Sequence, residues 1–130
     1  MQNVVRFISV AMLWHAAAFS FAVFAQSQAQ NQLNASDVRK LIIGNTVEAH
    51  TPFGNQFRAF FDPSGKWVQQ QGGQINEGTW RINDDGSQCV TSASGLSCAF
   101  IQKNDDGTYT RIVDGRPEIR WMKIFVGKAF

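Results

Sequence analysis

The sequence predicts an all-β fold, an antiparallel meander of about eight strands curled into a small barrel or half-barrel behind one short N-terminal helix. Three observations carry this. Beyond Gly44 the apolar residues recur at period two, as in Val47-Glu48-Ala49 and Trp80-Arg81-Ile82. Turn signatures interrupt that pattern at short, even spacing, which is the mark of a sandwich or barrel. No segment offers the long crossover helix that a parallel sheet requires. Every link is short, so the order is a meander; an open, strongly curved sheet is the main rival.

The first residues read as an export signal. Arg6 supplies a positive n-region, and Phe7 to Ala25 is an apolar run broken only by small or weakly polar residues and His15. Val23-Phe24-Ala25 fits the small-residue cleavage rule, which makes Gln26 the first mature residue; cutting after Ala29 is the second choice. The alternative is an uncleaved anchor, because the run approaches the minimum length for spanning a bilayer. No cysteine lies near the cleavage region, which excludes a lipoprotein anchor. The expected organisation is a signal at 1–25, a polar, flexible Gln/Ser/Ala-rich leader at 26–33 and a single β domain with its helix at 34–130.

The helix has clear punctuation. Asn34 can cap it with Asp37 at N3, Leu33 and Val38 occupy the hydrophobic-staple positions, and Gly44 ends it as a C′ residue. Val38, Leu41 and Ile42 share one face. Strands follow at Thr46–His50, Gln56–Phe61, Lys66–Gln71, Gln74–Asn83, Ser87–Ser92, Leu96–Lys103, Thr108–Val113 and Arg116–Phe125. Between them stand Asp62-Pro63-Ser64-Gly65, with proline and glycine where a type I turn wants them, and Asp114-Gly115, a strong two-residue hairpin signal. Gly78 marks a bulge or a close backbone approach. Period two places Phe57, Ala59 and Phe61 together, Trp80 and Ile82 with Gly78, and Ile119, Trp121, Lys123 and Phe125 on one side of the last strand with Met122 and Ile124 opposite.

Cys89 and Cys98 are the only cysteines. Folding the chain at Ala93-Ser94 sets them opposite each other in a non-hydrogen-bonded pair, with Cα atoms about 4.5 Å apart, at the near edge of the disulfide range. Export supplies the oxidising compartment in which such a bridge persists. Chain entropy assigns this short loop roughly 2.7 kcal/mol at most.

The net charge is +2, and loss of Arg6 with the signal lowers it to +1. A near-neutral balance argues against a general polyanion binder, so no nucleic acid is expected. Arg111, Arg116, Arg120, Lys123 and Lys128 make the last segment basic; they read as solvated strand faces, with a small anion-binding face as the alternative.

Motifs for chemistry are sparse. His50 is the one histidine of the mature chain, and no nucleophile elbow accompanies it. No zinc ligand set or phosphate loop is present, so no metal or cofactor is expected. Asp84-Asp85 and Asp105-Asp106 precede glycine and lack the further ligands of a calcium loop. Glu48, Glu77 and Glu118 are the strand carboxylates that could do acid–base work if two converged. Trp67, Trp80, Trp121 and Tyr109 are core candidates that could instead line a pocket, and amides beside an aromatic ring, Gln69 and Gln71 next to Trp67, suit a polar ligand such as a sugar.

Ile43-Gly44-Asn45-Thr46, Phe60-Phe61-Asp62-Pro63-Ser64-Gly65, Gly78-Thr79-Trp80-Arg81-Ile82, Asp85-Gly86-Ser87-Gln88-Cys89, the second cysteine, Asp106-Gly107-Thr108-Tyr109 and Asp114-Gly115-Arg116-Pro117 together resemble a family of small exported bacterial proteins of unknown function. The resemblance covers Leu33 to Phe125 and implies a lipocalin-like β-barrel or curved sheet and export; it carries no catalytic residues. The expectation is thus a periplasmic or secreted, non-catalytic barrel that binds a small molecule or an envelope protein, with membrane contact only if the N-terminal segment stays uncleaved. An inhibitor or accessory subunit of an exported enzyme or envelope complex is the alternative, and a barrel hydrolase or isomerase ranks below both.

Overall fold

The computed structural model describes residues 31–130. The expected signal, its cleavage after Ala25 and most of the leader lie outside the described residues. Helix α1 (Ala35–Ile42) precedes β1 (Asn45–His50), β2 (Gln56–Phe61), β3 (Lys66–Gln71), β4 (Gln74–Ile82), β5 (Gln88–Ser92), β6 (Gly95–Lys103), β7 (Tyr109–Val113) and β8 (Arg116–Val126). Two strands have the expected bounds, and each of the others differs by one residue at an end.

The strands pair antiparallel in sequence order, and β8 pairs with β1, from Asn45 opposite Val126 to His50 opposite Arg120. The barrel is closed, so the half-barrel and the open curved sheet are both set aside. Closure removes the two exposed edges an open sheet would carry.

Glycine sets the period of this barrel. Gly44, Gly65, Gly86 and Gly107 recur every 21 residues, and all four have positive φ, at 71°, 90°, 89° and 83°. Each of the last three closes a turn by donating to the carbonyl of Asp62, Asn83 or Asn104. The fold is therefore four successive two-strand units. These turns lie at one end, the closed end, and the turns after β1, β3, β5 and β7 lie at the other, the open end.

The helix plugs the closed end. Asn34 accepts a 2.9 Å bond from the Asp37 amide as its N-cap, and Val38 and Ile42 are fully buried. Gly44 N–H donates to Phe61 O at 2.8 Å and ties the helix exit to β2. Leu33 N–H donates to Ile101 O and Gln32 bridges Gln102, so the contacts of the domain begin two residues inside the expected leader.

Val47, Ala49, Phe57, Ala59, Phe61, Trp67, Ile101 and Trp121 join the two helix residues in one core. Two bulges on β8 overturn part of the period-two reading. Glu48 faces Lys123 while Ala49 faces Trp121, which leaves Met122 as the extra residue. Arg111 faces Ile119 while Ile112 faces Pro117, which leaves Glu118 as another. A bulge shifts every later side chain by one step. Ile124 consequently packs against the core, and Phe125 lies outside under the Arg58 guanidinium, 4.8 Å from its ring centroid.

Candidate functional site

The residues singled out for binding separate into three groups. Trp67 and Trp121 are core, and the Trp80 indole, packed against them, donates to Asp62 O at 2.9 Å. Phe61 meets Trp80 edge-on at 5.8 Å and Trp121 at 6.3 Å. Tyr109 packs near the helix, in a cleft with Leu33, Asp37 and Leu41. Gln69 and Gln71 face inward at the open end, because Gln69 pairs with the core residue Ala59. They sit opposite Asn76 and Gln74, so four amides share the inner face of one hairpin. Only the contact from Gln69 to Gln71, at 3.3 Å, joins two of them.

Arg111 is the feature that the charge count misplaced. It alternates with Tyr109 on β7, points into the barrel and is only 6% exposed, rather than standing on a solvated face. Its Nε donates to Gln88 Oε1 at 3.1 Å, and Gln88 is itself buried on β5. One terminal nitrogen reaches Ser97 Oγ at 3.4 Å and the other lies 3.8 Å from Glu118 Oε2. Burial lowers the guanidinium pKa below its usual value, and the Glu118 carboxylate opposes that shift. Glu118 Oε2 is buried and makes no hydrogen bond among the described residues. The legible signal was phase: Arg111 and Gln88 fall on the inward register of strands that also carry Tyr109 and Val90.

The other chemical candidates are dispersed. Glu48 forms a 3.0 Å ion pair with Arg58 on the outer face, and Glu77 is exposed opposite Val68. The two aspartate pairs form twin turns. Asp85 Oδ1 accepts from the amide and hydroxyl of Ser87, and Asp106 Oδ1 accepts from those of Thr108. Asn83 and Asn104 donate to the same two hydroxyls. Arg120 pairs with Asp106 in the second turn, and Cys89 Sγ accepts from Asn83 in the first.

Hydrogen bonds from Ser64, Ser87 and Thr108 hold the pKa values of Asp62, Asp85 and Asp106 below the usual aspartate value. A depressed folded-state pKa gives stability that is present above the unfolded value of about 3.9 and is lost as pH falls through the folded one. The melting temperature should therefore hold between neutrality and about pH 5 and fall below about pH 4. The double variant Asp85→Asn/Asp106→Asn should show a shallower acid slope in the same calorimetric scan; an unchanged slope would exclude these turns as its source.

The best-formed clefts lie on the outside and at the rims, and none has Trp67, Trp80, Trp121, Gln69, Gln71 or Arg111 on its wall. A groove of about 460 Å³ runs where β8 outruns β1, with His50, Thr51, Pro52, Pro117, Glu118, Ile119, Arg120 and Met122 along it. It brings His50 and Glu118 to one wall, a juxtaposition the sequence left open.

The two ends of the barrel differ in charge. The closed end carries Asp37, Arg39, Lys40, Asp62, Asp84, Asp85, Asp105 and Asp106. At the open end, Trp67–Asn76 and Gln88–Gln102 contain no charged residue, and Ala49–Phe57 contains only His50. Each of these three uncharged segments also exposes a large apolar side chain: Phe53 at 91%, Ile75 at 51% and Leu96 at 59%. No protein-family model and no curated protein matches this chain. On the outer face of the β5–β6 hairpin, Cys89 and Cys98 are bridged across a directly opposed pair, as the turn at Ala93-Ser94 requires.

Proposed function

We propose that this is an exported, non-catalytic binding module that engages an envelope partner through its open end. The supporting observation is that three of the four turns of the open rim carry no Asp, Glu, Lys or Arg and expose Phe53, Ile75 and Leu96, while the fourth, after β7, holds Asp114 and Arg116. Ile43 and Val126 are exposed at the closed end, which carries the charged turns; apolar side chains exposed on neighbouring uncharged turns suit an interaction surface. The disulfide and the apolar, Arg6-led N-terminal sequence support export.

The test has two parts. Intact mass of periplasmic material should begin at Gln26 with both cysteines oxidised; retention of residues 1–25 or two free thiols would contradict export by this route. Affinity capture from envelope extract should recover a partner with the wild-type domain and with a closed-end control, Ile43→Ser. The triple variant Phe53→Ser/Ile75→Ser/Leu96→Ser should lose it. Equal recovery by all three would reject the open end.

The groove holding His50 and Glu118 favours a second reading, a small-molecule site beside β8. In that case His50→Ala would weaken binding of the small molecule that the triple variant still binds.

A further inference from the structure

We propose that the β5-facing edge of β4 at Gln74–Glu77 is a strand-docking site for an extended, alternating apolar and polar segment of a partner protein. This rests on the binding-module reading and specifies where and how the partner binds.

The hydrogen-bonding ladder leaves this edge open. β4 pairs with β3 along its length from Gln74 to Thr79, but with β5 only from Thr79 to Ile82. Among the described residues nothing pairs with Gln74–Gly78 on the β5 side. A two-residue turn at Gly72-Gly73 makes Gln71 and Gln74 a hydrogen-bonded pair, and such pairs alternate along an antiparallel ladder. The N–H and C=O of Ile75 and Glu77 therefore point away from β3, toward the open side. An edge of this kind is complementary to another strand.

Strands outrun their neighbours in two further places, β6 past β7 over residues 95–99 and β8 past β1 over residues 116–119, and the contrast with β8 is informative. β8 extends past β1 over Arg116–Ile119, but Pro117 lacks an N–H there and Glu118 forms a bulge. Both devices block strand addition. Gln74–Glu77 has neither proline, lysine nor a register shift.

The flanks define the occupant. Ile75 on β4 and Leu96 on the neighbouring hairpin both face outward and are exposed. Gln74 and Asn76 face inward. A strand laid in this notch meets aliphatic carbon with one set of alternate side chains and amides with the other.

The test selects linear peptides from a displayed library on the disulfide-intact mature domain and reads amide hydrogen exchange residue by residue. In the free domain Ile75 and Glu77 should exchange fast while Gln74 and Asn76 are protected. A selected peptide should slow Ile75 and Glu77 in particular. Ile75→Pro removes the outward N–H while leaving the β3 ladder intact, and should cut affinity about tenfold or more at unchanged melting temperature, whereas Ile75→Ala should keep most of it. Peptides that protect the groove beside β8 instead would overturn the edge and leave the binding-module reading standing. Failure to select any peptide would overturn both. Protection of Ile75 and Glu77 without peptide, rising with protein concentration, would assign the edge to a second copy of the chain and overturn the partner proposal.

Discussion

Gly78→Ala should destabilise the barrel by about 3 kcal/mol or more, at the upper end of what overpacking costs. A Cβ at this position would stand 2.0 Å from the Thr91 carbonyl oxygen and 3.0 Å from its carbon. Both are backbone atoms, so no side chain can turn aside to relieve the contact. Gly78 sits where pairing between β4 and β5 ends, and the two backbones cross there without any side chain between them. Relief would require the β4–β5 ladder to separate, beside the partly buried Trp80. Gly73→Ala is the matched control. Gly73 has φ 80°, but a methyl group added there would meet nothing within 4 Å, so only the left-handed backbone cost of about 1–2 kcal/mol applies. Urea titrations followed by tryptophan fluorescence measure both. A Gly78→Ala cost no greater than that of Gly73→Ala would show that the strands do not cross so closely.

Trp121→Ala should cost about 3–5 kcal/mol. Trp121 is 3% exposed and occupies the seam: β8 pairs it with Ala49 of β1 on one side and with Tyr109 of β7 on the other. Its ring also packs near Phe61 of β2. Truncation leaves a cavity where the first and last strands meet, and cavity formation adds to the lost burial. Phe125→Ala is the informative companion. Phe125 lies on the outer face in contact with Arg58, an interaction worth about 0.5–1 kcal/mol at exposed sites. Simple alternation along β8 would make these two residues neighbours on one face and their losses similar. The bulge at Met122 separates them, so the Trp121 loss should exceed the Phe125 loss several-fold.

The fold was largely legible because local signals agreed with one another. Asn34, Asp37 and Gly44 delimited the helix, and Asp62-Pro63-Ser64-Gly65 and Asp114-Gly115 delimited strands through turn chemistry that depends only on neighbours in sequence. The pairing of Cys89 with Cys98 followed from the same kind of counting, because a two-residue turn fixes register. Closure between β1 and β8 was not legible, since it joins residues from opposite ends of the domain and no local signal encodes it. The 21-residue glycine interval was present in the sequence and announces four repeating units, but it emerges only when the turns are aligned on one another. The β8 bulges escaped period-two reading for a different reason. Glu118 and Met122 carry no bulge signature of their own, and tertiary pairing decides where the extra residue falls.

The candidate site was less legible than the fold. Trp67, Trp80 and Trp121 were identifiable as core or pocket residues, but sequence could not choose between the two, and packing placed them in the core. Gln69 and Gln71 are the members of the candidate set that reach the open end. Arg111 was missed because a charged residue on a strand is usually solvated. The rim became visible only once the turns after β1, β3 and β5 were known to lie at one end.

The central proposal is that the barrel interior is packed and the open rim is the binding surface. A nitrogen-15 NMR titration of the mature domain with a medium-chain fatty acid, a probe suited to an apolar lumen, tests this most directly. The indole signals of Trp67, Trp80 and Trp121 are expected to stay in place, with any shifts confined to the hairpins that carry Phe53, Ile75 and Leu96. Saturable movement of the three indole signals, with protection of the core on binding, would show a ligand inside the barrel and contradict the account.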